Sequence, residues 1–110
     1  MKLAEMNIEP LPDGTVPLTE EEALELGKGI PDWEIMDDEI EREYTFGDFR
    51  EAIAFVNRIA DLAEAANHHP EIEIKYNRVE IELSTHSIGG LSKNDFILAA
   101  KFDTVVEVTE

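Results

Sequence analysis

The stretch EIEIKYNRVEIELSTH, residues 71–86, decides the fold. Ile72, Ile74 and Tyr76 alternate with Glu71, Glu73 and Lys75, and Val79, Ile81 and Leu83 alternate with Glu80, Glu82 and Ser84. Successive side chains of a strand point to opposite faces, so this pattern predicts two strands with one buried and one wet face. Asn77 and Arg78 fit between them as a two-residue loop, because asparagine tolerates the left-handed backbone that such loops need. In that register Tyr76 faces Val79 on the core side, Ile74 faces Ile81 and Ile72 faces Leu83. Extrapolated to the strand ends, it sets His69 opposite His86, with Cα atoms about 4.5 to 5.5 Å apart, on the open side with Glu71 and Ser84.

Upstream, Asp48 and Glu51 form a capping pattern, and Phe49, Ala52, Ile53, Val56, Ile59, Ala60 and Ala63 recur at helical spacing through about Ala66. His68 follows that helix, and Glu64, four residues earlier, can reach it if the last turn extends that far. WEIMDDEIEREYTF (33–46) holds two strand-prone runs, 33–36 and 40–46, around an acidic turn at Asp37 and Asp38. Thr19 with Glu22 opens a short helix ending between Gly27 and Gly29, before Pro31. Downstream, Ser92 and Asp95 cap a last helix with the apolar stripe Phe96, Ala99, Ala100 and Phe102.

The order α-β-β-α-β-β-α predicts a two-layer α+β domain, a four-stranded antiparallel sheet with helices on one face. Residues 18–110 form that domain. Residues 1–17, with Pro10, Pro12, Pro17 and Gly14 and no periodicity, read as an extended arm without a catalytic part.

A chain of 110 residues with 43% hydrophobic content suffices for one core. The formal charge of -17 disfavours nucleic-acid and anionic-membrane partners. The absence of cysteine removes thiolate metal sites and cysteine nucleophiles and fits a reducing compartment, so a cytoplasmic location is expected. Glu5, Glu9 and three prolines interrupt the first eighteen residues where a signal peptide needs an apolar run.

His68, His69 and His86 are the only histidines of the chain, and all fall at one end of the predicted hairpin. Imidazoles titrate near neutral pH, so one ring can donate a proton while another accepts one. The simpler reading of an HH pair at a helix end is a cap or a solvated turn. A zinc site is the other competitor, but adjacent histidines without thiolates are not a usual structural-zinc spacing, and no metal is expected.

Glu64, His68-His69-Pro70, Tyr76, His86 and Asp95, with their spacing, resemble the active-site signature of the pterin-4a-carbinolamine dehydratases. PDWEI, IEREYTFGDF and GGLSKNDFILA extend the resemblance over roughly residues 18 to 103. It implies dehydration of 4a-hydroxytetrahydropterin to quinonoid dihydropterin without metal or organic cofactor, in a homodimer or homotetramer that serves aromatic amino acid hydroxylases. It further implies His68 and His86 as acid and base and His69 as a positioning and proton-sharing group. Glu64 would orient His68 or bind the ligand, and Pro70 would fix the chain leaving the histidine pair. The residues themselves also allow plainer roles: a helix cap, preferred for Asp95, core packing for Tyr76, and a solvated helix position for Glu64. Asn67 stands where many relatives carry aspartate, and Ile72 where many carry tryptophan. Two other readings use the same scaffold, a non-catalytic dimerisation or assembly factor and a binder of another pterin-like ligand.

Overall fold

The computed structural model describes residues 2–109, so Met1 and Glu110 lie outside it. Its elements are α1 (Glu20–Gly27), β1 (Glu34–Ile35), β2 (Ile40–Thr45), α2 (Phe49–Ala66), β3 (Glu71–Lys75), β4 (Arg78–Leu83) and α3 (Lys93–Thr109). Single 3₁₀ turns stand at Leu3–Glu5 and His86–Ile88. The four strands form one antiparallel sheet in the order β1-β2-β4-β3. This is the α+β architecture expected from the alternation of apolar residues, with β1 shorter than its strand-prone run.

Local chemistry sets the helix ends. Thr19 and Glu22 close a full capping box on α1. Asp48 accepts from the Glu51 amide at 2.8 Å at the start of α2. That helix stops because Asn67 enters the left-handed region, φ 50°, while the His68 amide bonds back to the Ala63 carbonyl at 3.1 Å. Asparagine is among the few non-glycine residues that adopt this conformation readily.

Ile40, Tyr44, Val79, Ile81 and Leu83 put the apolar side of the sheet against Phe55 and Ile59 of α2 and Phe96 and Phe102 of α3, all buried. At the β1 end, Asp103 of α3 accepts hydrogen bonds from Trp33 Nε1 at 3.0 Å, Arg42 Nη1 at 2.8 Å and the Tyr44 hydroxyl at 2.5 Å. Burial, and then the Asp103 charge, push the Tyr44 hydroxyl well above the usual tyrosine range, so it remains a proton donor to Asp103.

The hairpin differs from its expected register. Lys75 pairs with Arg78, Ile74 with Val79 and Ile72 with Ile81, so the loop is Tyr76–Asn77. Of the two strands only β4 is half-buried as expected: β3, at the sheet edge, is exposed along its whole length, Ile72 and Ile74 included. Pair partners move by two positions, which keeps every apolar residue on the same side. A period-two pattern therefore cannot distinguish the two registers. Strand β2 decides between them: the Phe46 amide donates to the Asn77 carbonyl at 2.8 Å, and Asn77 Nδ2 donates to the Phe46 carbonyl at 2.9 Å. Asn77 thus extends the β2·β4 ladder, and the left-handed position falls on Tyr76, φ 54°.

Tyr76 is accordingly not a core residue of its strand but a 67% exposed loop side chain. A left-handed conformation costs a side-chain-bearing residue roughly 1–2 kcal/mol. Tyr76→Gly is expected to raise stability by about 1 kcal/mol in urea unfolding, less than the full strain because glycine also gains freedom in the unfolded chain. Since β3 separates Tyr76 from the histidines by about 16 Å of strand, the same variant should leave the NMR signals of the histidine rings unchanged. Shifted ring signals would return Tyr76 to their neighbourhood.

Candidate functional site

The start of β3 and the exit of β4 lie at one end of the sheet, and the three histidines gather there on different supports. His68 and His69 follow the left-handed cap of α2, which turns one ring inward and the other outward: the His68 side chain is 15% exposed and that of His69 56%. His86 rides on a tight loop closed by paired hydrogen bonds between Thr85 and Gly90. Gly89 turns that loop at φ 74°, and a Cβ on Gly90 would come within 2.9 Å of Pro17.

Asp95 is the hub. Its carboxylate is fully buried, with Oδ1 2.6 Å from His68 Nε2. Oδ2 accepts from the Thr85 hydroxyl at 2.8 Å and from the Ser92 amide at 3.0 Å. Thr85 gives its one proton to Asp95, so the Ser92 hydroxyl, 2.7 Å away, donates to Thr85 Oγ1. The capping role assigned to Asp95 is real but half of what it does, since the same carboxylate orients a histidine. Only half a capping box forms because the Ser92 hydroxyl is turned to Thr85. An ionised carboxylate can only accept, so His68 carries a proton on Nε2 and presents Nδ1 as its free nitrogen.

Glu64 does not orient His68. Its Oε2 lies 2.5 Å from His69 Nε2, and both side chains are exposed. A contact between two exposed side chains contributes little stability, about 0–1 kcal/mol, so this one orients the ring more than it holds the fold. His86 Nε2 stands 3.4 Å from the Ser84 hydroxyl. His69 and His86 are not opposed strand residues, because β3 begins at Glu71, which pairs with Glu82. They nevertheless line one depression of about 50 Å³ with Glu39, Glu71, Glu82 and Ser84.

The histidines do not all open into one pocket. His68 faces a neighbouring cleft of about 200 Å³, whose lining includes Asn67, Thr85, Ser87 and Asn94, together with Ile8 and Leu11 of the arm. The pull of buried Asp95 on one ring and the exposed Glu64 on the other separates two residues adjacent in sequence. Pro70 is half-buried at the junction with β3. The arm wall was missed from sequence, because a segment without periodicity carries no signal of where it packs.

The open side of the sheet is strongly acidic. Glu39, Glu41 and Glu82 bring carboxylate oxygens within 4.8 Å of one another, a donor set suited to a hard cation. Desolvation and then Glu80, Glu82 and Glu34 raise the Glu41 pKa, and a hydrogen bond with Glu39 leads the rise at Glu82. A carboxyl raised by folding binds its proton more tightly in the folded chain. Stability is therefore lower above the raised pKa and recovers as pH falls through it toward the ordinary value of 4.5. Melting temperature is expected to rise on acidification from neutral to about pH 5 at low salt, before wider protonation reverses it. Glu82→Gln should reproduce part of that gain at pH 7, and a flat or falling profile would exclude the repulsion.

The two-layer α+β fold thus carries, at one end of its sheet, a histidine cluster backed by carboxylates, side chains that can exchange protons near neutral pH. The pterin 4 alpha carbinolamine dehydratase family matches residues 16–105, and the chain belongs to that family. A relative from Rubrobacter xylanophilus is 45% identical over 93% of this chain and 96% of its own length. One from Thermomicrobium roseum is 56% identical over 66% of this chain and 77% of its own. Both carry provisional pterin-4-alpha-carbinolamine dehydratase names. A solved transcriptional coactivator/pterin dehydratase from Brucella melitensis superposes with a TM-score of 0.78 at 35% identity, covering 82% of this chain and 98% of the other. A pterin dehydratase-like RuBisCO assembly factor of the alpha-carboxysome shares the fold, with a TM-score of 0.57 at 21% identity over 67% of this chain and 86% of its own. No helix among the described residues is long and apolar enough to cross a membrane.

Proposed function

We propose that this protein dehydrates 4a-hydroxytetrahydropterin to quinonoid dihydropterin by imidazole acid–base catalysis, supporting the recycling of tetrahydropterin in the cytoplasm. The observation that carries the reading is His68 held by the buried Asp95 with Nδ1 free. Membership of the family supports the substrate class.

The reaction breaks the C4a–O bond and forms a C4a–N5 double bond. One imidazolium protonates the departing hydroxyl, which leaves as water, and one neutral imidazole takes the proton from N5. His68 suits the second task, because a carboxylate opposite Nε2 stabilises the imidazolium that forms when Nδ1 accepts. His86, exposed and without a carboxylate partner in hydrogen-bonding reach, suits the first, exchanging its proton with solvent. His69, oriented by Glu64, would hold the ring edge. The pterin would occupy the His68 cleft with its hydroxylated edge toward His86, and Pro70 would keep the pair in place. No metal or organic cofactor enters these steps.

The direct test follows decay of freshly made 4a-carbinolamine with and without the protein. A rate above the spontaneous one that saturates with substrate is expected. A purely spontaneous rate would leave the assembly-factor reading, which gives no physical reason for a buried carboxylate orienting a histidine.

The protein would act as a homodimer or homotetramer. Strand β3 is an edge of the sheet with Ile72 and Ile74 37% and 38% exposed, and Phe49 of α2 is 49% exposed. An apolar edge of this kind invites pairing with a second copy. The aromatic amino acid hydroxylases would supply the carbinolamine.

A further inference from the structure

We propose that the arm segment Ile8–Leu11 is a wall of the ligand site and decides which ring substituents fit beside His68. This rests on the reading of the His68 cleft as the pterin site. The segment lies outside residues 16–105, the part matched to the family.

The arm is held along its length. Lys101 Nζ donates to the Ala4 carbonyl at 2.9 Å, and Asn94 Nδ2 donates to the Glu9 carbonyl at 2.8 Å. Leu3, Ala4 and Ile8 pack against the core. The Leu18 amide donates to the Leu91 carbonyl at 2.8 Å, so both ends of the segment are anchored to the domain.

The placement of Asn94 gives these contacts their consequence. It precedes Asp95 in the first turn of α3, so one turn of helix grips His68 through Asp95 and the arm through Asn94. The cleft between them is two-sided in chemistry. Asn67, His68 and Ser87 offer hydrogen bonds, whereas Ile8, Pro10 and Leu11 offer an apolar surface. A pterin has the same two characters, a polar amino-oxo pyrimidine edge and a flat ring carrying a substituent on carbon 6. Pro10 fixes its own φ and has no N–H to satisfy, so this wall is formed before the ligand arrives.

The test uses the full-length protein with a non-reacting oxidised pterin, followed by backbone and histidine-ring NMR. The amides of Ile8, Glu9 and Leu11 should shift together with the His68 ring at one common affinity. Arm amides that stay fixed while His68 responds overturn the proposal and leave the catalytic reading intact. A titration that moves neither overturns both.

Leu11→Ala and Asn94→Ala supply the kinetic counterpart. Each should raise KM by about 10-fold with kcat within about twofold, because losing the apolar contact at Leu11, or the Asn94 bond that holds the arm in place, removes binding common to ground and transition states. Leu11→Ala should also narrow the preference between carbinolamines with methyl and with longer carbon-6 substituents. An arm that only braces the fold would lower the melting temperature and leave KM and that preference unchanged, which also overturns the proposal.

Discussion

Replacing His86 with alanine is expected to slow carbinolamine dehydration by about 10²- to 10⁴-fold, the usual contribution of one positioned acid or base. The ring is exposed and lies on a loop closed by backbone hydrogen bonds between Thr85 and Gly90, so its removal should leave the melting transition nearly unchanged. His68→Ala should slow turnover by a similar factor, but it is the less clean experiment. It strips Asp95 Oδ1 of its partner in a fully buried position, and some of its effect will come through stability. Imidazole added to the medium separates the two causes, since partial rescue restores a missing proton carrier but not a disturbed core. His69→Ala should be milder, because the ring is half out of water and paired to an exposed carboxylate. Wild-type-like rates in both the His68 and the His86 variants would remove the acid and base assignment.

Asp95→Ala should be the most destabilising single change in the site, costing about 3–5 kcal/mol in urea unfolding. It leaves the Thr85 hydroxyl, the Ser92 amide and His68 Nε2 without their acceptor around a carboxylate position that is fully buried. Asp95→Asn separates fold from chemistry. Its oxygen can still accept from Ser92 and Thr85, and that orientation points the amide NH₂ at His68. His68 must then expose Nε2 as acceptor and carry its proton on Nδ1, where the proposed base needs a lone pair. Most of the stability should survive while turnover falls by orders of magnitude, as expected for a histidine held in the wrong tautomer. An Asp95→Asn enzyme with normal turnover would reduce Asp95 to a helix cap.

The fold was legible because its signals are local. Alternation in 71–83, the helical stripe from Phe49 to Ala63 and the capping residues at 19, 48 and 92–95 each depend on neighbours within a turn or two. The candidate site residues were named through their resemblance to the family. The structure gathers His68, His69, His86, Glu64 and Asp95 at one end of the sheet and leaves Tyr76 in the far hairpin loop, and the network among them was not legible. Glu64 was matched to His68 by helical spacing, whereas the helix had already ended and the turn at Asn67 handed Glu64 to His69. Asp95 was matched to Ser92 by the capping pattern, and nothing in that pattern shows that a second oxygen faces a ring 27 residues away.

Apolar periodicity and capping chemistry thus determined which segments become helices and strands and which side of each carries the apolar residues, although the apolar side of β3 stays exposed at Ile72 and Ile74. Tertiary structure alone decided the hairpin loop, the partner of each histidine and the place of the arm. The physical reason is common to all three. Burying an apolar side constrains a strand only up to steps of two residues, and burying a polar group demands a partner without naming it. Only the assembled chain supplies the particular donor: the Phe46 amide for the Asn77 carbonyl, His68 for Asp95 and Asn94 for the carbonyl of Glu9.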